Sequence, residues 1–350
     1  PGGVFFFPRE GMIMKMQAEL WEKLPDGAVR CDLCFRHCRI GLGEKGFCAV
    51  RVNEDGRLLT LVGDSVVSIS LDPVEKKPLY HFLPSTPTLS IGTLGCNFAC
   101  LFCQNYSISR RPADTGRYDG MQEINPQELV SYAVEHSVPS ISFTYNEPTV
   151  FYELLCRTAD LALPAGIRTV MVTNGCMSRA CLNELGPRVT AANVDLKAFR
   201  EDTYAKVCSG SLSAVKRNLV LMKEKGWWVE VTTLVVPGMN DSDGELRGIA
   251  HFIKESLGAD TPWHVSAFFP CYRMQDRGPT PAATVFRARQ IGLAEGLHYV
   301  YSGNVRDDEG AETFCPVCGT PVVKRSGYSV LASHHGVCPK CGASIAGIWK

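Results

Sequence analysis

The chain has 350 residues, enough for one large barrel or for two to three domains with a sizeable core. Lysine and arginine (36) balance aspartate and glutamate (36), so no net basic field invites an anionic membrane, and nucleic acid is not expected as a partner. The apolar fraction of 45% is ordinary for a globular protein, and no apolar run approaches the length of a membrane span.

At the amino end, Val4-Phe5-Phe6-Phe7 is too short for the apolar core of a secretion signal, and Pro8, Arg9 and Glu10 follow it directly. Residues 1–11 read as a cloning-derived or upstream extension before a start at Met12 or Met14. The 16 cysteines cluster mainly at metal-ligand spacings, which points to a reducing compartment, the cytoplasm.

Residues 12–85 form an N-terminal Cys-rich region with short strands. Cys31-x2-Cys34-x3-Cys38-x9-Cys48 places four thiols in 18 residues, and Gly41, Gly43 and Gly46 permit tight turns between the last two. Too little apolar sequence surrounds them to bury four plain thiols. A metal site follows, and zinc and iron–sulfur both fit the spacing. Residues 50–70 read as short strands with a hairpin turn at Asn53-Glu54-Asp55-Gly56. Residues 72–84 carry three prolines and are expected to be extended and irregular. Their Glu75, Lys76, Lys77 and His81 form either a solvated face or part of an active-site lining.

From 86 to 305 strands alternate with helices. The expected strands are 88–93, 140–145, 168–173, 192–196, 229–236, 263–269 and 299–303, mostly short apolar runs with little alternation, as when both faces of a parallel sheet are covered. Helix starts are legible at Asn125-Pro126, at the capping box Ser242-x-x-Glu245, and at Thr280-Pro281. Leu212, Val215, Leu219 and Met222 form a core-facing stripe, and Gly226 ends that helix. Cys156 and Cys181 fall in helices as small core residues, whereas Cys176 and Cys271 lie at strand ends. The pattern predicts a parallel α/β sheet, open or closed.

The first of these strands leads into Cys96-Asn97-Phe98-Ala99-Cys100-Leu101-Phe102-Cys103. Three thiols at C-x3-C-x2-C on one loop suit a four-iron cluster with one iron left open, because a closed structural zinc site needs a fourth ligand. Polar residues also stand at the other strand ends: Asn146-Glu147-Pro148, Asn174-Gly175, Asp195-Leu196-Lys197, Pro237-Gly238-Met239-Asn240 and Gly303-Asn304. Each alone is a turn signal. Together they line the carboxyl edge of a parallel sheet, where α/β proteins place their active sites.

Residues 306–350 break the pattern with Cys315-x2-Cys318-Gly and Cys338-x2-Cys341-Gly. Two such knuckles read as a closed four-thiolate site of the zinc-ribbon or rubredoxin-like kind, with structural zinc favoured over a single iron. Lys324, Arg325 and Lys340 are a thin basic supply for nucleic acid, and His334 and His335 read as loop residues because four cysteines fill the shell.

The loop at 96–103, with Phe102 before its last cysteine, resembles the radical S-adenosylmethionine (SAM) superfamily. GCNFACLFCQNYSIS, FTYNEPT, VTNG, VDLKAF, VVPGMND and YSGN resemble its pyruvate formate-lyase activating enzyme branch. Within that branch, CDLCFRHCRIGLGEKGFCAVR, DPVEKKPLYHFLP and the C-terminal knuckles look like the AmmeMemoRadiSam system radical SAM enzymes, across about residues 15–350. The resemblance implies a partial (β/α)6 TIM-like barrel holding a [4Fe–4S] cluster on Cys96, Cys100 and Cys103. It implies SAM on the open iron, an electron donor of flavodoxin or ferredoxin type, and an oxidoreductase that abstracts hydrogen from an unassigned small molecule or partner protein.

Roles follow position by position. Glu147 stands where relatives place an acid or neighbouring backbone against the methionyl amino group, and a carboxylate suits an ammonium there; its other reading is a helix-start residue, and Asn146 beside it is a further cofactor-binding candidate. Asn174 suits the methionyl or ribose end. Asp195 and Lys197 share one side of a strand and in relatives lie near the methionyl carboxylate, with a surface ion pair as the alternative. His264 either faces the pocket or is a satisfied core histidine. Residues 266–272, Ser-Ala-Phe-Phe-Pro-Cys-Tyr, depart from the Arg, His and Asp more usual around that proline, which leaves the substrate open. A glycyl-radical activase and a non-enzymatic iron–sulfur or zinc scaffold are the competing readings.

Overall fold

The structure, a computed structural model, describes residues 15–307 and 309–350; the extension at 1–11 and the starts at Met12 and Met14 lie outside the described residues. Eight strands form the central sheet: β1 (Ser68–Pro73), β2 (Pro87–Gly92), β3 (Ser140–Phe143), β4 (Arg168–Thr173), β5 (Ala191–Asp195), β6 (Trp228–Val235), β7 (Trp263–Ala267) and β8 (Val300–Gly303). Their spatial order is their chain order. Neighbours from β2 to β8 pair in parallel, while β1 pairs antiparallel with β2 along the outer edge.

Parallel neighbours need a crossover. Six helices supply it in turn: α1 (Pro126–Glu135), α2 (Tyr152–Ala162), α3 (Arg179–Leu185), α4 (Leu212–Glu224), α5 (Asp243–Phe252) and α6 (Ala282–Ala294). The strands are buried on both faces: Leu89, Ile91, Ile141, Phe143, Val194, Val231 and Val265 share one apolar face, whereas Thr88, Ser90, Ser142, Asn193, Glu230 and His264 make the other face buried but polar. A sheet that never reverses its strand order has no crevice between diverging strands, so the carboxyl edge of β2–β8 is left to gather the loops.

The seven strands expected from sequence occur, with ends within two residues. The antiparallel β1 was not anticipated as part of this sheet. Its sequence, SISLDP, alternates polar residues and ends in proline, which an edge position tolerates. Asn125 and Ser242 cap α1 and α5 as expected, through Gln127 and Glu245 amides. Thr280 does not cap α6. Its hydroxyl accepts from Phe268 N and donates to the Val235 carbonyl, so it ties two strand ends together.

Residues 74–84 run against β5 and β6, and burial decides between the two readings of this segment. Glu75, Lys77 and His81 are buried. The Tyr80 and His81 amides donate to Glu230 on β6 at 3.0 and 2.8 Å, and Asn193 on β5 donates to the Pro78 carbonyl at 2.7 Å. The C-terminal module, built on Thr313–Phe314, Pro321–Ser326 and Ser329–Ser333, clasps the same segment. Arg325 donates to Tyr80 O at 2.6 Å, and His81 Nδ1 to Ala346 O at 2.7 Å. At the other end, the hairpin Arg51–Glu54 with Arg57–Thr60 turns through Asp55 and Gly56, both with positive φ, where the sequence placed it. Its Arg51 makes a buried bidentate pair with Glu153 of α2, at 2.7 and 2.9 Å.

Candidate active site

The loop after β2 carries Cys96, Cys100 and Cys103, and it is held from four directions. Asn146, after β3, accepts from Thr93 N at 3.0 Å and donates to Thr93 Oγ1, Leu94 O and Gly95 O at 3.2, 3.3 and 2.8 Å. Asn174, after β4, donates to Asn97 Oδ1 at 2.7 Å and lies 3.9 Å from Cys96 Sγ. The wide helical turn at Tyr204–Cys208 receives the Ala99 and Leu101 amides on its Cys208 and Val207 carbonyls. From the N-terminal region, Arg36 Nε donates to Asn97 O at 2.8 Å and the same guanidinium reaches Ser209 O. Within the loop, Phe98 N donates to Cys96 Sγ at 3.3 Å.

Glycine is required at two contacts. A Cβ on Gly210 would stand 2.4 Å from Phe98 Cζ, and one on Gly95, whose φ is +86°, would stand 2.7 Å from Cys48 O. The loop is therefore wedged between the 204–210 turn and the N-terminal cysteine region.

Glu147 caps the short helix after β3 and is buried. Its Oε1 accepts from Thr149 N, Thr149 Oγ1 and Thr173 Oγ1 at 3.0, 2.6 and 2.7 Å; Oε2 accepts only from Asn174 N, at 2.8 Å. Burial raises its pKa against those hydrogen bonds. The helix-start role is thus real, and Oε2 keeps a free lone pair. Lys197 Nζ pairs with Asp195 Oδ2 at 2.9 Å and lies 5.9 Å from the centre of the buried Phe102 ring.

The thiols feel this setting. Burial, then the charges of Glu147 and Cys100, push Cys96 well up. A hydrogen bond with Cys208 and burial raise Cys100, against the attraction of Lys197. Burial and Cys100 push Cys103 up to about 11, again opposed by Lys197. Thiols this protonated need a metal to become thiolates, and loading releases the protons.

His264 lies elsewhere on the inner side. Its Nε2 is 2.7 Å from Glu230 Oε2, and its ring packs on Tyr80 and Tyr301. Burial would raise Glu230, but the His264 hydrogen bond and the nearby His81 leave it lowered. His264, with Ser266, Ser302, Glu75, Arg325 and Tyr328, lines a cavity of about 440 Å³ between the last two strands and the C-terminal module. Among these, Glu75 Oε2, Ser302 Oγ and Arg325 Nε are buried polar atoms with no hydrogen-bond partner in the protein.

The two accessory cysteine sets differ in width. The Sγ atoms of Cys315, Cys318, Cys338 and Cys341 all lie within 4.8 Å of one another, with pairs at 3.6 and 3.5 Å. Gly319 and Gly342 give the knuckles matching positive-φ turns. Cys318 is lowered to about 6, first by the Thr320 hydroxyl and then by its amide. Cys31, Cys34, Cys38 and Cys48 converge as well, around a cavity that reaches Asn97, but among the described residues only the C-terminal set brings three or more ligand atoms within single-ion reach.

Sequence reading missed Asn97, Cys208, Gly210 and Arg36, which act by contact across the fold and carry no local signal. Glutamate and asparagine after a strand were visible; what they hold was not. Among the described residues no helix is long and apolar enough to cross a membrane.

A sequence profile of the Radical SAM superfamily matches residues 90–250, from β2 through most of α5. An uncharacterised protein of Methanocaldococcus jannaschii is 43% identical over 333 residues, covering 94% of this chain and 98% of its own length. Among solved structures, a domain of a pyruvate-formate lyase-activating enzyme from Bacteroides vulgatus is 16% identical, covers 47% of this chain and 98% of its own, and has a TM-score of 0.41. Streptococcus suis SuiB is 13% identical, covers 65% of this chain and 51% of its own, and has a TM-score of 0.48. With that profile match inside a chain whose relative aligns almost end to end, and with C-x3-C-x2-C on the loop after the first parallel strand, the chain belongs to the radical SAM superfamily.

Proposed function

We propose that Cys96, Cys100 and Cys103 hold a [4Fe–4S] cluster whose fourth iron takes SAM, and that the chain is a radical SAM oxidoreductase. The observation that carries this is the thiol loop itself: three cysteines on a loop pinned by the Asn146 and Asn174 side chains after β3 and β4 and by backbone carbonyls of the 204–208 turn, with an amide already directed at Cys96 Sγ and no fourth ligand from the loop. Three thiolates with backbone N–H donors suit that cluster. When bound, it would pass one electron to the sulfonium of SAM, releasing methionine and a 5′-deoxyadenosyl radical that takes hydrogen from the substrate.

The chain's own residues position and screen. The free lone pair of Glu147 Oε2 would accept from the methionyl ammonium, with Asn174 fixing the same carboxylate through its amide. Lys197 would meet the methionyl carboxylate, held in place by Asp195. Asn146 orients the loop, and Phe102 packs beneath it. Around this site the sheet serves as a partial (β/α)6 barrel spanning 86–305, and the knuckles at 306–350 as a zinc-ribbon module.

The hydrogen donor is a small molecule or a partner protein. The cavity beside His264, with three partnerless polar atoms, favours a small polar molecule over the glycine of a partner enzyme. The AmmeMemoRadiSam branch, a cytoplasmic location and a flavodoxin- or ferredoxin-type donor belong to the same reading.

The test is anaerobic reconstitution, reduction and assay for 5′-deoxyadenosine. Product should form with wild type and vanish with Cys100→Ala, together with the SAM-responsive electron paramagnetic resonance signal. A fully loaded, reduced wild type that releases no 5′-deoxyadenosine leaves the scaffold reading.

A further inference from the structure

The N-terminal cysteines raise a question that spacing leaves open. Zinc bonded to thiolates at about 2.3 Å in a tetrahedron holds its sulfurs roughly 3.8 Å apart. The C-terminal set meets that requirement, with Sγ pairs at 3.5 and 3.6 Å. The N-terminal four do not form such a set: among the described residues only the C-terminal cysteines bring three or more ligand atoms within reach of a single ion. They nevertheless surround one space, a small cavity of about 20 Å³ whose wall also includes Arg36, Arg51 and Asn97. Four thiols that face a common centre yet stand too far apart for one ion fit a group with several metals, in which each thiolate binds its own iron.

The surrounding charges agree. Arg51 is fully buried, its terminal nitrogens are taken by Glu153 and by Glu19 O, and its Nε has no hydrogen-bond partner although the residue lines the cavity. A buried guanidinium N–H left without an acceptor is costly, and a cluster sulfur would accept it. Arg36 has no carboxylate in ion-pair reach among the described residues. It lies against Phe47 and adds a second positive charge to the cavity wall. Four thiolates on a four-iron core carry net negative charge, which a cation in the wall offsets.

We infer that Cys31, Cys34, Cys38 and Cys48 ligate a second, fully coordinated [4Fe–4S] cluster, seated directly behind the Cys96 loop. The contact is physical: Asn97, the residue after Cys96, forms part of the cavity wall and accepts from Arg36. The 33–35 loop in turn docks on the strand-end loop that carries Asn174, through Phe35 N to Cys176 O and Ser178 N to Leu33 O. With every iron held by the chain, this cluster has no open position, so it carries electrons and does not bind SAM. The assignment rests on the four cysteines and stands whether or not SAM is cleaved.

The test uses the full chain, reconstituted anaerobically with iron and sulfide. Wild type should hold about eight irons and eight sulfides. The triple variant Cys96→Ala, Cys100→Ala, Cys103→Ala should retain about half of both, with a reduced-cluster resonance that SAM does not alter. Replacing Cys34→Ser and Cys48→Ser should remove the complementary half. On full reduction, wild type should show spin–spin broadening that the triple variant lacks. A triple variant that holds no iron, or that holds about two zinc ions per chain, overturns the assignment. Unbroadened wild-type spectra with both clusters reduced overturn the placement. If the serine variants fail to fold, the triple variant decides the question alone.

Discussion

Single residues set the shape of the cysteine loop, and two of them can be tested directly. Asn146 spends its whole amide on residues 93–95, satisfying one buried N–H and three buried oxygens. Asn146→Ala should cost about 2 kcal/mol or more in urea unfolding and lower the iron retained per chain, since buried backbone groups lose their partner. Gly210→Ala drives a methyl into the Phe98 ring, so iron content should fall while the circular dichroism of the fold stays unchanged. His81 reports on protonation. It is buried, donates from Nδ1 to Ala346 O and accepts the Tyr301 hydroxyl at Nε2, which fixes the neutral ring. Burial lowers its pKa from 6.5 to about 4. The unfolded chain therefore binds this proton first as pH falls. The contribution is complete above about 6.5 and is lost between there and about 4, on the order of 3 kcal/mol in all. Urea midpoints at pH 7 and pH 5 should differ more for wild type than for His81→Gln.

At the scale of elements, the accessory regions are joined to the core by buried polar links. The 51–60 hairpin meets α2 through Arg51 and Glu153, both buried. Glu153→Gln leaves a guanidinium buried without its counter-charge, and such a broken pair costs roughly 3–5 kcal/mol. Chemical denaturation should show that loss, and the double replacement Arg51→Met, Glu153→Leu should recover most of it. The strand β1 and the 74–84 segment make the second link. Asp72 receives Lys77 at 2.6 Å, Lys76 at 2.9 Å and the Tyr145 hydroxyl at 2.7 Å, so the segment is tied both to its own strand and to the residue before Asn146.

For the whole molecule, the C-terminal module acts as a clasp over that segment. Arg325, His81, Tyr301 and Thr313 form one hydrogen-bonded chain from the module into the sheet. With the knuckles holding zinc as proposed, Cys315→Ser should release about one metal ion per chain and lower the melting temperature by several degrees. Iron at the Cys96 site should stay, measured by metal analysis of the same sample. Loss of that iron with the fold intact would show that the clasp also shapes the thiol loop.

Much of this was legible in the linear chain, and the division has a physical cause. Ligand type, ligand number and spacing are covalent facts, so three separate cysteine sets could be read off residues 31–48, 96–103 and 315–341. Apolar runs bounded by caps likewise located β2 to β8, because burial leaves a local signature, whereas their order in the sheet came from the tertiary structure. The place of residues 74–84 could not be read this way. Glu75, Lys77 and His81 are charged or polar in sequence, and only their partners Arg325, Asp72 and Tyr301 make their burial affordable. The width of each thiol set also belongs to tertiary structure. Spacing brings four sulfurs to one loop, but packing against Asn97, Arg51 and the 174–178 turn decides how far apart they stand.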